Sequence, residues 1–177
     1  MTPRTDQFQT FNIKTRQSEG GYIDNPKHID QPTNSGITEP TLKQYNQMHP
    51  DLHFPRTVKN LTSDQIDKIY HELFFQNRKI HEIKNHRIAY AIYDMGVMSN
   101  FKNVIKIVQS ALNEFMTTHI TVDGILGRET ICALNNIPND NIDIFMDKLK
   151  ARRMKYLRSL KDWDKYGRGW TSRTNKY

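Results

Sequence analysis

The glycine pair Gly20-Gly21 fixes where the first helix of this chain must stop. Upstream of it, Phe8, Phe11 and Ile13 are spaced to place one apolar stripe on a helix. Glycine enters the left-handed C-cap conformation without a Cβ clash, so the pair ends the helix and leaves Glu19 as its last side chain. A carboxylate there lies beside unpaired carbonyls and the negative end of the helix dipole. Its proton is then held more tightly than on a free glutamate, the direction a general acid needs. A glutamate before Gly-Gly is more often a solvated helix end, and position alone does not separate the two readings.

Residues 22–37 are dense in glycine, proline, asparagine and aspartate, which predicts an ordered loop or short hairpin. Thr38 then caps a second helix, with Pro40 in its first turn, Leu42 and Tyr45 inward, and an end near Met48 set by His49-Pro50. Residues 49–61 read as a loop. His49 and His53 have the spacing of a helical metal pair, but Pro50 spoils the helix and no third ligand is near. No metal site and no organic cofactor are expected. Thr62-Ser63-Asp64-Gln65 is a capping box opening a helix to about Arg78, with Ile66, Ile69, Tyr70, Leu73 and Phe74 on its inner face. At least one of Phe74 and Phe75 is expected in the core.

A second half begins near Ile88. A long helix carries Val104, Ile105, Val108, Ala111, Leu112 and Phe115 in 3-4 spacing, with Gln109 and Asn113 off the stripe. Residues 121–130 read as a tight turn running into a helix through Leu134; Asp123-Gly124 supplies the turn and Gly127 a close backbone approach. Cys132 cannot form an internal disulfide, being alone, and reads as a core residue on an apolar helix face. Asn139 or Asn141 caps the last long helix, which buries Ile142, Phe145, Leu149, Tyr156 and Leu160.

Three stretches together resemble a known family. Glu19-Gly20-Gly21-Tyr22 followed by Pro32-Thr33-Asn34-Ser35-Gly36-Ile37-Thr38 is similar, without a gap, to the signature of glycoside hydrolase family 108 lysozymes. These are N-acetylmuramidases found largely among phage endolysins and prophage-borne secretion-activator proteins. The D-G-x-x-G-x-x-T run from Asp123 to Thr130 resembles the small helical peptidoglycan-binding module that follows such catalytic regions, and Gly169-Trp170 through Arg173 resembles their close. The resemblance implies a mostly α, lysozyme-like helical fold with a small irregular or β element after the catalytic glutamate. It divides the chain into a hydrolase region at 1–86 and a peptidoglycan-binding-like region at 87–177.

The same resemblance implies that Glu19 is the catalytic acid and that Thr33 lines its cleft. Where the family usually places an aspartate, nine residues after the glutamate, this chain has His28, and Asp30-Gln31 replaces the usual Gly-Gly. The second polar role falls to Asp30 in the favoured reading, with His28 and Asp24 as alternatives, or to no second carboxylate. Tyr22, His28, Asn34 and Trp170 are the candidates for binding substrate, and Trp163 a further candidate for sugar stacking.

Net charge is +7 and the isoelectric point is near 9.5. Such a balance favours polyanions: nucleic acid, anionic lipid or the acidic groups of a bacterial wall. The densest basic patch, Lys148 to Lys155, is a solvated helix face or a polyanion site with equal claim. No helix-turn-helix or stacking-sheet motif accompanies the charge, so the expected partner is bacterial peptidoglycan and not nucleic acid. No apolar run approaches the ~18 residues of a membrane span, so no stable membrane insertion is expected. The first residues lack the apolar core of a signal peptide. The expectation is a monomer held in the host bacterial cytoplasm until lysis, reaching the periplasm and wall through a holin-type lesion.

Overall fold

The structure, a computed structural model, describes residues 4–17, 22–23, 32–117 and 119–177. It divides into two compact units, residues 1–78 and 79–177.

The first unit opens with α1 (Arg4–Arg16), followed by β1 (Tyr22–Ile23), β2 (Thr33–Asn34), β3 (Ile37–Thr38), α2 (Glu39–Met48) and α3 (Ser63–Ile69), which continues as a π-helical stretch, Tyr70–Gln76. Two 3-10 turns, Pro50–Leu52 and Val58–Asn60, occupy the expected loop. The strands form an antiparallel sheet in the order β1-β2-β3, pairing Tyr22 with Asn34, Ile23 with Thr33 and Thr33 with Thr38. Ser35 and Gly36 turn the β2–β3 hairpin with φ of 49° and 77°. Two left-handed residues in succession match the twist of the flanking strands, and glycine at the second lowers the cost. The buried Tyr70 hydroxyl donates to the Ser35 carbonyl at 2.7 Å, so the turn is held from below by the π-helical stretch.

Both predicted caps form. The Thr38 hydroxyl accepts from the Thr41 amide, and Thr62 and Gln65 make the reciprocal pair of bonds. Leu42 and Tyr45 are buried as expected. Ile13 is not: it is 59% exposed, because it lies two residues past Phe11 and hence about 200° round the helix from it. The inner face of α3 also changes. The Asn77 amide donates to the Glu72 carbonyl at 2.9 Å, a bond spanning five residues. This wider turn rotates the inward position, so Phe75 is fully buried against Phe8 and Phe11 while Leu73 and Phe74 are half-buried. A regular 3.6-residue period could not place them so.

The second unit contains α4 (His86–Met98), α5 (Phe101–Phe115), α6 (Arg128–Asn135), α7 (Ile142–Arg158) and α8 (Trp163–Thr174). Asn85 and Asn100 cap α4 and α5 with their side chains; Asn141 precedes α7 but makes no side-chain cap bond. The α5 stripe is buried from Val104 to Leu112, and Phe115 is half-buried. On α7 the burial differs from expectation: Arg153 and Leu157 are buried, whereas Tyr156 and Leu160 are half-buried. Cys132 is exposed on α6, whose inner face is Thr130, Ile131, Ala133 and Leu134. α8 was not foreseen as a helix, since Gly167 and Gly169 each disfavour one by about 1 kcal/mol.

What holds α8 is polar. Asp94 on α4 is 1% exposed and accepts from Arg173 Nε at 2.9 Å, Arg173 Nη2 at 2.7 Å and the Tyr177 hydroxyl at 2.6 Å. Arg153 donates to the Thr174 hydroxyl at 2.9 Å and its guanidinium lies 5.3 Å from the Tyr177 ring centre. Burial pulls Arg153 below the usual guanidinium pKa, while Tyr177 and Asp94 oppose that shift. The fold is thus mostly α with one small sheet, as expected. Among the described residues no helix is long and apolar enough to cross a membrane. Arg173→Met strips both guanidinium bonds from a buried carboxylate. It should lower the unfolding free energy by about 3–5 kcal/mol, read from urea titration.

Candidate active site and wall-binding elements

Glu19, Asp24, His28 and Asp30 lie outside the described residues, as does the Gly20-Gly21 cap. What leads into them is visible. α1 ends at Arg16, and Asp67 on α3 accepts from both Asn12 Nδ2, at 2.7 Å, and Arg16 Nη1, at 2.5 Å. Arg16 also donates to the Ser63 hydroxyl at 3.1 Å. The last turns of α1 are therefore fastened to α3 just before the chain reaches Glu19.

The sheet gathers three of the predicted residues but divides them. Tyr22 and Asn34 are directly paired across β1 and β2 and share a face; Thr33, the next residue along, points to the other. Tyr22 is exposed, and the Lys59 ammonium lies 5.9 Å from its ring centre. Asn34 Nδ2 donates to the Val58 carbonyl at 2.9 Å, and Glu39 Oε1 accepts from the Val58 amide at 3.0 Å. Both backbone polar groups of Val58 thus hold the hairpin and the start of α2 against the same 3-10 turn. Pairwise, this stiffens the frame on which Tyr22, Thr33 and Asn34 stand.

Sequence reading missed a second polar cluster in the first unit. Glu72 accepts from the Tyr45 hydroxyl at 3.2 Å and meets His49 Nε2 at 2.6 Å, while the Tyr45 ring packs on His49 and Phe54. The π-helical stretch presents Glu72 here, and a groove of about 620 Å³ beside it is lined by Asn12, Tyr45, Asp67, His71 and Glu72 among others. Burial, and then the charge of Glu72 and the bond to it, push the Tyr45 phenol up to about 12. The only available signal was His49 itself, whose spacing to His53 pointed elsewhere.

In the second unit the Asp123–Thr130 turn is organised by a residue that lies off the apolar stripe of α5. Gln109 is 1% exposed. Its amide nitrogen donates to Asp123 Oδ1, the Ile125 carbonyl and the Thr130 hydroxyl, and its oxygen accepts from the Gly124 amide at 2.8 Å. Asn113 likewise bonds both polar groups of Ile120. These bonds to Gln109 and the Ile125 amide hold the Asp123 carboxyl below the usual range. The close approach belongs to Gly124, not Gly127: a β-carbon at Gly124, where φ is 80°, would lie 2.6 Å from Lys102 Cγ and 2.7 Å from the Lys102 carbonyl oxygen. At Gly127 the nearest atom would be 3.8 Å away. Trp170 is half-buried on α8, 5.8 Å from the Tyr166 ring and 6.3 Å from Trp163, whose indole lies flat over Gly167.

Residues 13–99 match glycosyl hydrolase 108, and residues 103–175 match a predicted peptidoglycan domain. The chain belongs to the glycosyl hydrolase 108 family and joins its hydrolase region to a peptidoglycan domain, the architecture of a peptidoglycan-degrading glycosidase. Among solved structures, Brucella abortus SagA is similar: 25% identical, with a TM-score of 0.77 over 97% of this chain and 91% of that one. No curated protein sequence gives a significant match. The mostly α, lysozyme-like fold agrees with that likeness. The hydrolase match runs through α4, which packs on α5 within the second unit.

Tyr45 gives the cluster around Glu72 a measurable signature. A phenol raised in the fold stays neutral there while the unfolded chain ionises near pH 10, so its contribution to stability is complete below pH 10. That contribution should fall away between pH 10 and about 12. Unfolding free energies compared between wild type and Tyr45→Phe should differ by a pH-independent offset below pH 10 and converge above it.

Proposed function

We propose that the chain hydrolyses the β-1,4 bond between N-acetylmuramic acid and N-acetylglucosamine in peptidoglycan, with Glu19 as general acid. The observation that carries this is the ungapped likeness of residues 19–38 to the family signature, inside a region that matches glycosyl hydrolase 108 and ahead of a peptidoglycan domain. Protonated Glu19 gives its proton to the glycosidic oxygen as positive charge develops at the anomeric carbon. Asp30 stabilises that charge or holds the attacking water; His28 or Asp24 is the substitute if Asp30 is not. Thr33 orients water through a hydroxyl that both donates and accepts. Tyr22, Asn34 and Trp170 bind sugar, Tyr22 and Trp170 through their ring faces. Residues 1–86 cut and residues 87–177 hold the wall. The biological role is that of an endolysin, acting as a monomer on the wall once the membrane is breached.

Glu19→Gln keeps the shape and removes the acidic proton, so lysis of purified cell walls should drop by roughly 10²–10⁴-fold with little change in folding. Retention of more than about a tenth of the rate, far outside that range, would refute the assignment. In the same assay Asp30→Asn should cost much more than His28→Ala, and the reverse order would transfer the second role to His28.

Arg16 stands three residues before Glu19, and a free guanidinium so near in sequence favours an ionised carboxylate. Its pairing with Asp67 offsets that pull. Asp67→Ala should therefore move the alkaline limb of the pH–rate profile to lower pH, since the acid then loses its proton sooner. A limb that stays in place while only the rate falls would assign Asp67 a purely structural part.

A further inference from the structure

We propose that the face between α5 and α7 is a carboxylate-reading site for the peptide stems of peptidoglycan, a proposal that rests on the substrate reading above. A groove of about 340 Å³ there is lined by Asn103, Lys106, Ser110, Arg152, Lys155 and Tyr156 among others. The α5 residues recur every three or four positions, as do those of α7, so each helix contributes one face. The sequence shows a basic run only on α7; packing of α7 on α5 adds Lys106 opposite it.

One lining cation already has a carboxylate partner. Arg152, which lines the groove, pairs with Glu114 of α5. The bond to Arg152 holds the Glu114 carboxyl below its usual range, and the charges of Lys148 and Lys155 act the same way. The face therefore stabilises anionic oxygen at an exposed position. Lys106 of α5 and Lys155 of α7 are both exposed and line the groove from its two helices. Asn103 donates to the Tyr156 hydroxyl at 3.3 Å, fixing a ring between the cationic walls. Amide, hydroxyl and aromatic groups beside separated single charges suit a peptide bearing carboxylates. A nucleic-acid backbone instead needs a long unbroken cationic track.

The Asp123–Thr130 turn sets the α5 wall. Gly124 seats directly on the Lys102 backbone and on the aliphatic stems of Lys102 and Lys106, so the turn braces the cationic edge from behind. The motif that resembles a wall-binding signature then acts by positioning lysines, not by touching the wall.

The test is cosedimentation of the full chain at 4 °C with purified sacculi stripped of phosphate polymers by hydrofluoric acid, before and after carbodiimide amidation of their carboxylates. Lys106→Ala/Lys155→Ala should weaken binding to untreated sacculi by about tenfold, the size of two exposed charge contacts. Amidation should weaken wild-type binding by a similar factor and leave the double variant unchanged. Lys106→Arg/Lys155→Arg, which keeps both charges, should bind as wild type does. The proposal fails if the alanine variant binds like wild type, or if it loses the same factor on amidated sacculi. It also fails if duplex DNA at matched charge displaces the chain as well as a soluble stem peptide does. Sedimentation reads binding without cleavage. Loss of carboxylate dependence would sink this site alone, and an inactive wild type that still sediments carboxylate-dependently would sink only the hydrolase reading.

Discussion

Asp94 has left water almost completely, and a carboxylate in that position is tolerable only when charge and hydrogen bonds replace its hydration. Arg173 and Tyr177 do so from 79 and 83 residues further along the chain. α8 must therefore dock where α4 leaves the charge, or α4 cannot be buried. The first unit uses the same device at lower cost, because its anchors are half-exposed. Asp67 gathers Asn12 and Arg16 from α1, and Glu72 gathers Tyr45 and His49 from α2 and its end. With only 36% of its residues apolar, the chain relies on such long-range polar clamps to fix which helix lies where. Apolar contact alone is non-directional and would leave more than one arrangement available.

This division explains what could be read in advance. Local chemistry was legible: the Thr38 cap, the Thr62–Gln65 box and the α5 stripe depend on residues within a turn or two of each other. The polar core was not. Gln109 and Arg153 look like solvent-facing residues to any pattern that equates polarity with exposure, yet their partners lie 14 to 55 residues away. Leu73 and Phe74 differ from the inner face the period predicts for another reason, since one wide turn at Tyr70–Gln76 shifts the phase of everything after it. Nothing in the residue types of that stretch announces the change of period.

For the site, the signature at 19–38 was legible as chemistry, but its supports were not. Tyr70 beneath the Ser35 carbonyl and the two bonds to Val58 join the hairpin to segments 19 to 35 residues away. The Asp123–Thr130 motif shows the converse. Its recognisable residues are keystones: Gly124 is the one that a β-carbon would disrupt, and Asp123 and Thr130 exist to satisfy Gln109. A signature of this kind records what the backbone requires, while exposed charge on neighbouring helices is free to do the recognising.

The end of α1 carries two demands that oppose each other. A helix C-terminus is stabilised by cations, and α1 has Lys14 and Arg16 in its last turn. A general acid a few residues later, as proposed for Glu19, needs its proton retained, which nearby cations discourage. Asp67 reconciles them. It pairs with the Arg16 guanidinium from α3, so that cation meets an opposite charge. Asn12, one turn earlier, bonds the same carboxylate oxygen and fixes the helix in that orientation. Both Arg16 bonds, to the Ser63 hydroxyl and to Asp67, come from the one Nη1 nitrogen, so a single donor group ties the end of α1 to two successive turns of α3. The Arg16 side chain thus supplies a cation to the helix end and has that cation balanced by Asp67.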